Sequence, residues 1–172
     1  CAVDVNGASF WMSQTAFYMF DGAIKKLPCT VQDFVFDDID STTQQQVTAA
    51  VNTDFNEVTW FYPTEGSEVL NASVTYNYLE NVWYTNTGFT RTAWMDRGIY
   101  ANPYAVEYEA TDIPTQGAVQ GVTAGATYVW AHEDGFNAAG NSMPSSITSG
   151  DFDIADGEDL FHCSRVIPDF KN

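Results

Sequence analysis

Apolar and polar residues alternate along most of this chain in short runs, and turn signals stop nearly every run. Phe10-Trp11-Met12 is followed by a polar turn, Ser13 to Thr15, and then by Phe17-Tyr18-Met19-Phe20. Asp21-Gly22 is a two-residue hairpin signal between apolar strands. Ala23 to Leu27 continues as a third strand, which Pro28 closes. A meander with tight turns is predicted.

Asp33 to Gln46 breaks the pattern with Asp33, Asp37, Asp38 and Asp40, then Ser41-Thr42-Thr43 and three glutamines. It reads as a connector with at most one helical turn, capped by Ser41 or Thr42. The β pattern returns at Val47 to Asn52, turns at Thr53 to Asn56, and resumes at Glu57 to Tyr62 before Pro63. Thr64 to Asn71 is polar and reads as an exposed loop. Ala72 to Tyr78 alternates again, Glu80-Asn81 makes a turn, and Val82 to Thr85 and Arg91 to Met95 read as further strands. Ile113 to Gly125, with Pro114 and three glycines, reads as a loop or linker. Tyr128 to Glu133 is the next strand and runs into Asp134-Gly135. Ser146 to Thr148, Asp151 to Ile154 and Leu160 to Ile167 follow as strands, with Asp156-Gly157 as a turn.

An aromatic strand running into an acidic turn occurs three times: Phe17 to Gly22, Tyr76 to Asn81, and Tyr128 to Gly135. The turn acids lie 59 residues apart (Asp21, Glu80) and then 54 (Glu80, Asp134). Antiparallel units at about this spacing mark β-propeller blades. The expected fold is all-β: antiparallel meanders forming part of a β-propeller, with few or no helices. Three blade-like units are expected, over residues 1–46, 47–112 and 113–172. A β-sandwich with evenly spaced hairpins is the alternative. Since propellers typically need at least about four blades, other chains or segments would supply the rest. Trp60, Tyr62, Tyr76, Tyr78, Trp83, Trp94 and Trp130 are the candidate blade-core aromatics.

Composition narrows the function. Over 172 residues, 23 Asp+Glu face 6 Lys+Arg, a formal net charge of −17. That balance excludes tight phosphate-backbone binding, which rests on clustered Lys and Arg. The chain is 45% hydrophobic, too apolar for a disordered acidic tail. No apolar run approaches the roughly 20 residues needed to cross a bilayer. The sequence opens on Cys1 with no leader pattern after it, so a processed chain or a missing start is expected.

The residues offer little chemistry. Cys1, Cys29 and Cys163 form no C-x-x-C pair and read as small buried thiols, although one bridge stays open. His132 and His162 support neither a zinc site nor a thiol dyad; His162 adjoins Cys163, but neighbouring strand residues face opposite ways. Asp151 to Asp159 resembles a calcium loop, yet Ala155 takes a ligand position and an acidic turn fits better. His132-Glu133-Asp134 enters a hairpin, where polar residues are expected without catalysis. Arg91, Arg97 and Arg165 evoke the three-arginine clamp of sialidases, since arginine's fork suits a sugar carboxylate. The repeated Ser-x-Asp-x-Gly-x-x-Trp turns of those enzymes are absent; the nearest stretch, Asn77 to Trp83, lacks both the Asp and the Gly. Asn71-Ala72-Ser73 is the one glycosylation sequon. No cofactor or metal is expected.

Several stretches together resemble a known family. They are Phe10-Trp11-Met12, Phe17 to Gly22, Leu27-Pro28-Cys29-Thr30-Val31 and Asn56 to Pro63. Tyr76-Asn77-Tyr78, Trp83, Arg91 to Trp94, Asp96-Arg97-Gly98, Phe152 to Ile154 and Arg165 to Phe170 continue the likeness. The chain resembles, from about Phe10 to Phe170, the tail nozzle of short-tailed bacteriophages, also called tail tubular protein B or packaged-DNA stabilisation protein. Members of that family are usually several times longer, as a partial chain would require. The resemblance implies a β-propeller subunit of the virion tail, six copies surrounding a channel, with no enzymatic activity. It implies an adaptor above, tail fibres or a tip around it, and transient, non-specific passage of double-stranded DNA. Carboxylates lining such a duct would repel phosphates, whereas Lys and Arg would retain them. Loops Pro63 to Asn71 and Ile113 to Gly125 are the candidate contacts between subunits or with other tail parts. The alternative function is a host-glycan-binding or glycan-cleaving, sialidase-like propeller.

Overall fold

The computed structural model describes residues 1–87, 91–107, 127–135, 137–138 and 141–142. These residues are mostly antiparallel β-structure, so the chain is all-β in class. The first sheet is a four-strand meander: β1 (Ala2–Val5), β2 (Ala8–Met12), β3 (Phe17–Phe20) and β4 (Ile24–Lys26), hydrogen-bonded in chain order. Asn6 and Gly7 turn β1 into β2 with φ of 52° and 79°, the left-handed geometry that a twisted two-residue hairpin needs.

A helix interrupts next. α1 (Gln32–Asp38) has no side-chain cap, and Val35 is its one buried residue. Seven residues without a cap would not hold a helix in water. Packing holds it instead: Val35 is fully buried and Phe36 lies 5.2 Å from Phe17, ring to ring. A 3-10 turn over Gln44–Gln46 follows. The connector expected from Asp33 to Gln46 therefore contains a real, short helix.

The second sheet repeats the first: β5 (Thr48–Asn52), β6 (Glu57–Tyr62), β7 (Ala72–Asn77) and β8 (Val82–Thr87), again in chain order. Val58, Trp60 and Tyr62 of β6 alternate toward the first sheet, opposite Tyr76, Val74 and Ala72 of β7. With Phe10, Phe17, Leu27, Val35 and Trp83 they form the main core. Each fully buried side chain of this size contributes about 1.5–3 kcal/mol. The rings interlock, with Phe17 at 4.9 Å from Trp60 and 4.7 Å from Trp83.

The third sheet contains β9 (Ala93–Met95), β10 (Tyr104–Glu107) and β11 (Tyr128–Ala131), with β10 in the middle. A two-stranded ladder, β12 (Asn137–Ala138) with β13 (Asn141–Ser142), follows. The unit boundary expected after residue 112 falls inside this sheet. β10, assigned to the second unit, pairs with β9 on one side and with β11, assigned to the third, on the other.

First strands meet first strands: β1 lies beside β5, and β5 beside β9. They begin at Ala2, Thr48 and Ala93, an almost even spacing. The three aromatic-acidic elements of the sequence all fall at one place, the third strand of a sheet and the turn leaving it. The sheets are open and do not close into a barrel or ring among the described residues. No described helix is long and apolar enough to cross a membrane.

Candidate functional site

The second sheet has two unlike faces. One is the apolar wall of the main core. The other carries Asn52, Glu57, Thr59, Phe61, Ser73, Thr75, Tyr84 and Asn86 toward the third sheet, enclosing with it a cleft of about 210 Å³. Sheets covered on both faces usually read apolar on both; this one does not. A smaller apolar patch of Ala50, Phe61 and Leu70, with Trp94 against it, closes part of the gap.

Strand register assembles the polar group. Asn52 stands directly opposite Glu57 across the β5–β6 ladder. Thr59 and Thr75 face each other on neighbouring strands, their hydroxyl oxygens 2.8 Å apart. Tyr84, opposite Thr75, is hydrogen-bonded through its hydroxyl to Glu57. Burial pushes the Glu57 carboxyl up, and the charges of Glu133 and Glu80 push the same way against the Tyr84 hydrogen bond. Burial, then Glu57, raises Tyr84.

The third sheet supplies the opposite wall: Trp94, His132 and Glu133. Trp94 is held from below, its indole Nε1 donating to the Val51 carbonyl at 2.8 Å. His132 packs on Trp94 at 4.7 Å between ring centroids. Its Nε2 accepts from Arg91 Nε at 3.0 Å, which requires a neutral ring protonated on Nδ1. Burial, with the Arg91 charge, pushes the His132 pKa down to about 4. Burial also brings Arg91 down to about 10, against the opposing pull of Glu107. Arg91 reaches Glu107 at 3.6 Å and lies over the Trp130 ring at 5.9 Å, while Trp130 Nε1 donates to Glu107 at 2.6 Å. Glu133 follows at φ 57°, a left-handed conformation costly for a side chain of its size.

Asn52 sits between the two carboxylates. It is 7% exposed, and its Nδ2 donates to Glu133 Oε1 at 3.4 Å. Its Oδ1 is buried without a partner. Exchanging the amide atoms would set oxygen against carboxylate, so this orientation is the one the charges permit.

The candidate core aromatics separate into groups. Trp60, Tyr62, Tyr76 and Trp83 lie buried in the main core. Tyr78 is half-buried at its rim, stacked on Phe10 at 5.9 Å. Trp94 serves the second, smaller core, and Trp130 belongs to the Arg91–Glu107 group on the third sheet. Sequence reasoning passed over Phe10, Phe17, Phe61 and Val35, all buried; the alternation from Phe10 to Phe20 carried that signal for two of them.

Arg91 and Arg97 do not present an open clamp. Arg91 is engaged by His132 and Glu107, and Arg97 pairs with Asp54 at 2.8 Å. Arg165 lies outside the described residues, as do His162, Cys163, the Asp151 to Asp159 stretch, the Ile113 to Gly125 loop and the three C-terminal strands. Cys1 is exposed, not buried as expected, while Cys29 is half-buried and burial pushes its thiol up. The Pro63 to Asn71 loop is less open than its polarity implies. Leu70 is buried, and Asn71 ties the loop to itself through the Thr64 amide at 2.9 Å and hydroxyl at 2.8 Å. Among the described residues no group of three or more His, Cys, Asp and Glu is placed to hold a metal.

No protein-family model matches this chain, and no curated protein matches it significantly.

Proposed function

We propose that this chain is a structural subunit of a bacteriophage tail nozzle, a partial β-propeller that retains and conducts double-stranded DNA without chemistry of its own. Six copies would surround the channel, meeting an adaptor and tail fibres or a tip. The observation that carries the reading is the serial repeat of meanders. Successive sheets lay first strand beside first strand, and each bears its aromatic-acidic element on the third strand. Radial blades are built in this order, each needing a neighbour to cover its face. The −17 charge supports the same reading, because an acidic lumen repels the phosphates it must let pass. Rings of six copies in electron micrographs test it.

The polar cleft between the second and third sheets favours one other reading, a propeller that binds or cleaves host glycans. Trp94 and Tyr84 could stack on or bond a sugar there. Against it stands the engagement of Arg91 and Arg97 by protein carboxylates. A saturable, glycan-dependent rise in Tm would favour this second reading.

A further inference from the structure

We infer that copies of this chain associate head to tail, the outer face of the first sheet in one copy packing on the outer face of the third sheet in the next. This contact, which rests on the ring reading above, is the one that would build such a ring. Within the chain the sheets stack in one sense. Phe10, Met12 and Phe17 of the first sheet pack against Val58, Trp60 and Tyr76 of the second, whose opposite face meets Trp94 of the third. Side chains alternate along each strand, so two faces lie outermost in this stack. One carries Trp11 and Tyr18, which stand opposite each other and stack at 5.6 Å, with Phe20 and Ile24 in the next row. The other carries Met95, Tyr104, Val106 and Val129.

Position, exposure and charge point to a second copy as the occupant. Trp11 is the fourth residue of β2 and stands opposite Ala2, as Trp60 is the fourth residue of β6 and stands opposite Ala49. Trp60 is fully buried under the face of the neighbouring sheet, whereas Trp11 is half-buried. The face equivalent to the one that covers Trp60 is the outer face of the third sheet. Both outer faces are open to solvent: Phe20 is 45% and Ile24 70% exposed, Met95 47% and Val129 68%. Copies of net charge −17 repel one another, yet these faces carry little of that charge. The strands of the third sheet set no charged side chain on theirs, and those of the first set only Asp4 and Lys26, which cancel. Interface cores are depleted of charge and enriched in aromatics and Met. Because the two faces differ, the contact is heterologous and closes into a ring if its rotation permits.

Sedimentation velocity of the full chain should show oligomers larger than dimers as concentration rises. Added salt should strengthen them, because it screens the repulsion between acidic copies. Phe20→Glu and Val129→Glu, each setting a charge in an apolar contact, should each weaken association by about thirtyfold or more. Both side chains are exposed, so both variants are expected to fold. Mixed together they should pair as a dimer and stop there, since each keeps the face that the other has lost. A natural chain that stays monomeric, as it would if a different protein covered these faces, overturns the inference. So does a mixture that fails to pair, or an assembly that only one of the two variants disrupts. Rings of six that persist in Phe20→Glu would sink this contact and leave the nozzle reading standing. A mixed dimer, with no such rings from the natural chain, would do the reverse.

Discussion

The indole Nε1 of Trp83 donates to the carbonyl oxygen of Pro28 at 2.9 Å, joining the last strand of the second sheet to the segment that leaves the first. The same ring packs on Tyr76 at 4.5 Å and on Phe17 at 4.7 Å. One side chain thus fills the core between two sheets and satisfies a carbonyl where β4 has ended. Trp83→Phe keeps an aromatic ring but loses the hydrogen bond to Pro28 and part of the buried ring volume. It should lower unfolding free energy by about 1–3 kcal/mol, measured by urea denaturation with an unchanged m-value.

Two core tyrosines should respond differently to loss of their hydroxyls. Tyr76 Oη donates to Asn81 Oδ1 at 2.7 Å, across the turn between β7 and β8. Tyr76→Phe should cost about 0.5–1.5 kcal/mol. Tyr62 Oη is buried with no partner, and burial pushes its pKa up to about 12. Tyr62→Phe should be neutral within about 0.5 kcal/mol or stabilising. Thermal melts of the two variants side by side check this; equal losses would contradict the contrast.

The neutral His132 should make the fold sensitive to mild acid. Its pKa falls from 6.5 to about 4 on folding, because burial and Arg91 disfavour the imidazolium. The folded state therefore binds fewer protons than the unfolded chain between these values. The stability this group contributes is fully present above about pH 6.5 and is lost as pH falls toward about 4. The raised Glu57 carboxyl works oppositely, since its protonation on acidification relieves a cost in the folded state. Comparing Tm against pH for the natural chain and His132→Gln isolates the histidine. The natural chain should lose more stability over that window, and parallel curves would refute the assignment.

Duplex DNA should not adhere to this protein. With 23 acidic against 6 basic residues, its mean field repels a polyanion bearing one charge per about 1.7 Å of axis. Gel-shift at low ionic strength, where screening is weakest, should show free DNA at all protein concentrations. A saturable shift that weakens with salt would argue for a hidden basic track.

Much of the fold is legible in the chain, and the misses have causes. Glu57 to Tyr62 alternates so cleanly that its strand is read with the bounds it has. Asp21-Gly22 marks a true turn, with Gly22 at φ 110°. β1 was readable too, because Asn6-Gly7 is as strong a hairpin signal, but its short flank Ala2–Val5 hides it. α1 is different: its helix is imposed by Val35 and Phe36 packing under Phe17, and no cap or periodicity of its own announces it. Tyr104–Glu107 escapes because its partners lie on both sides in sequence, one of them beyond the stretch that begins at Ile113. The cleft was the least legible feature. Asn52, Glu57 and Glu133 each look like ordinary surface residues, and only the strand register with the third sheet's wall brings them together.

The claim that these meanders are blades of a shared ring around an acidic passage is tested most directly by class averages from electron microscopy of the protein in its native assembly. The account predicts a closed ring of six subunits with an open central channel. Isolated single particles with no central channel, unchanged at high protein concentration, would contradict it.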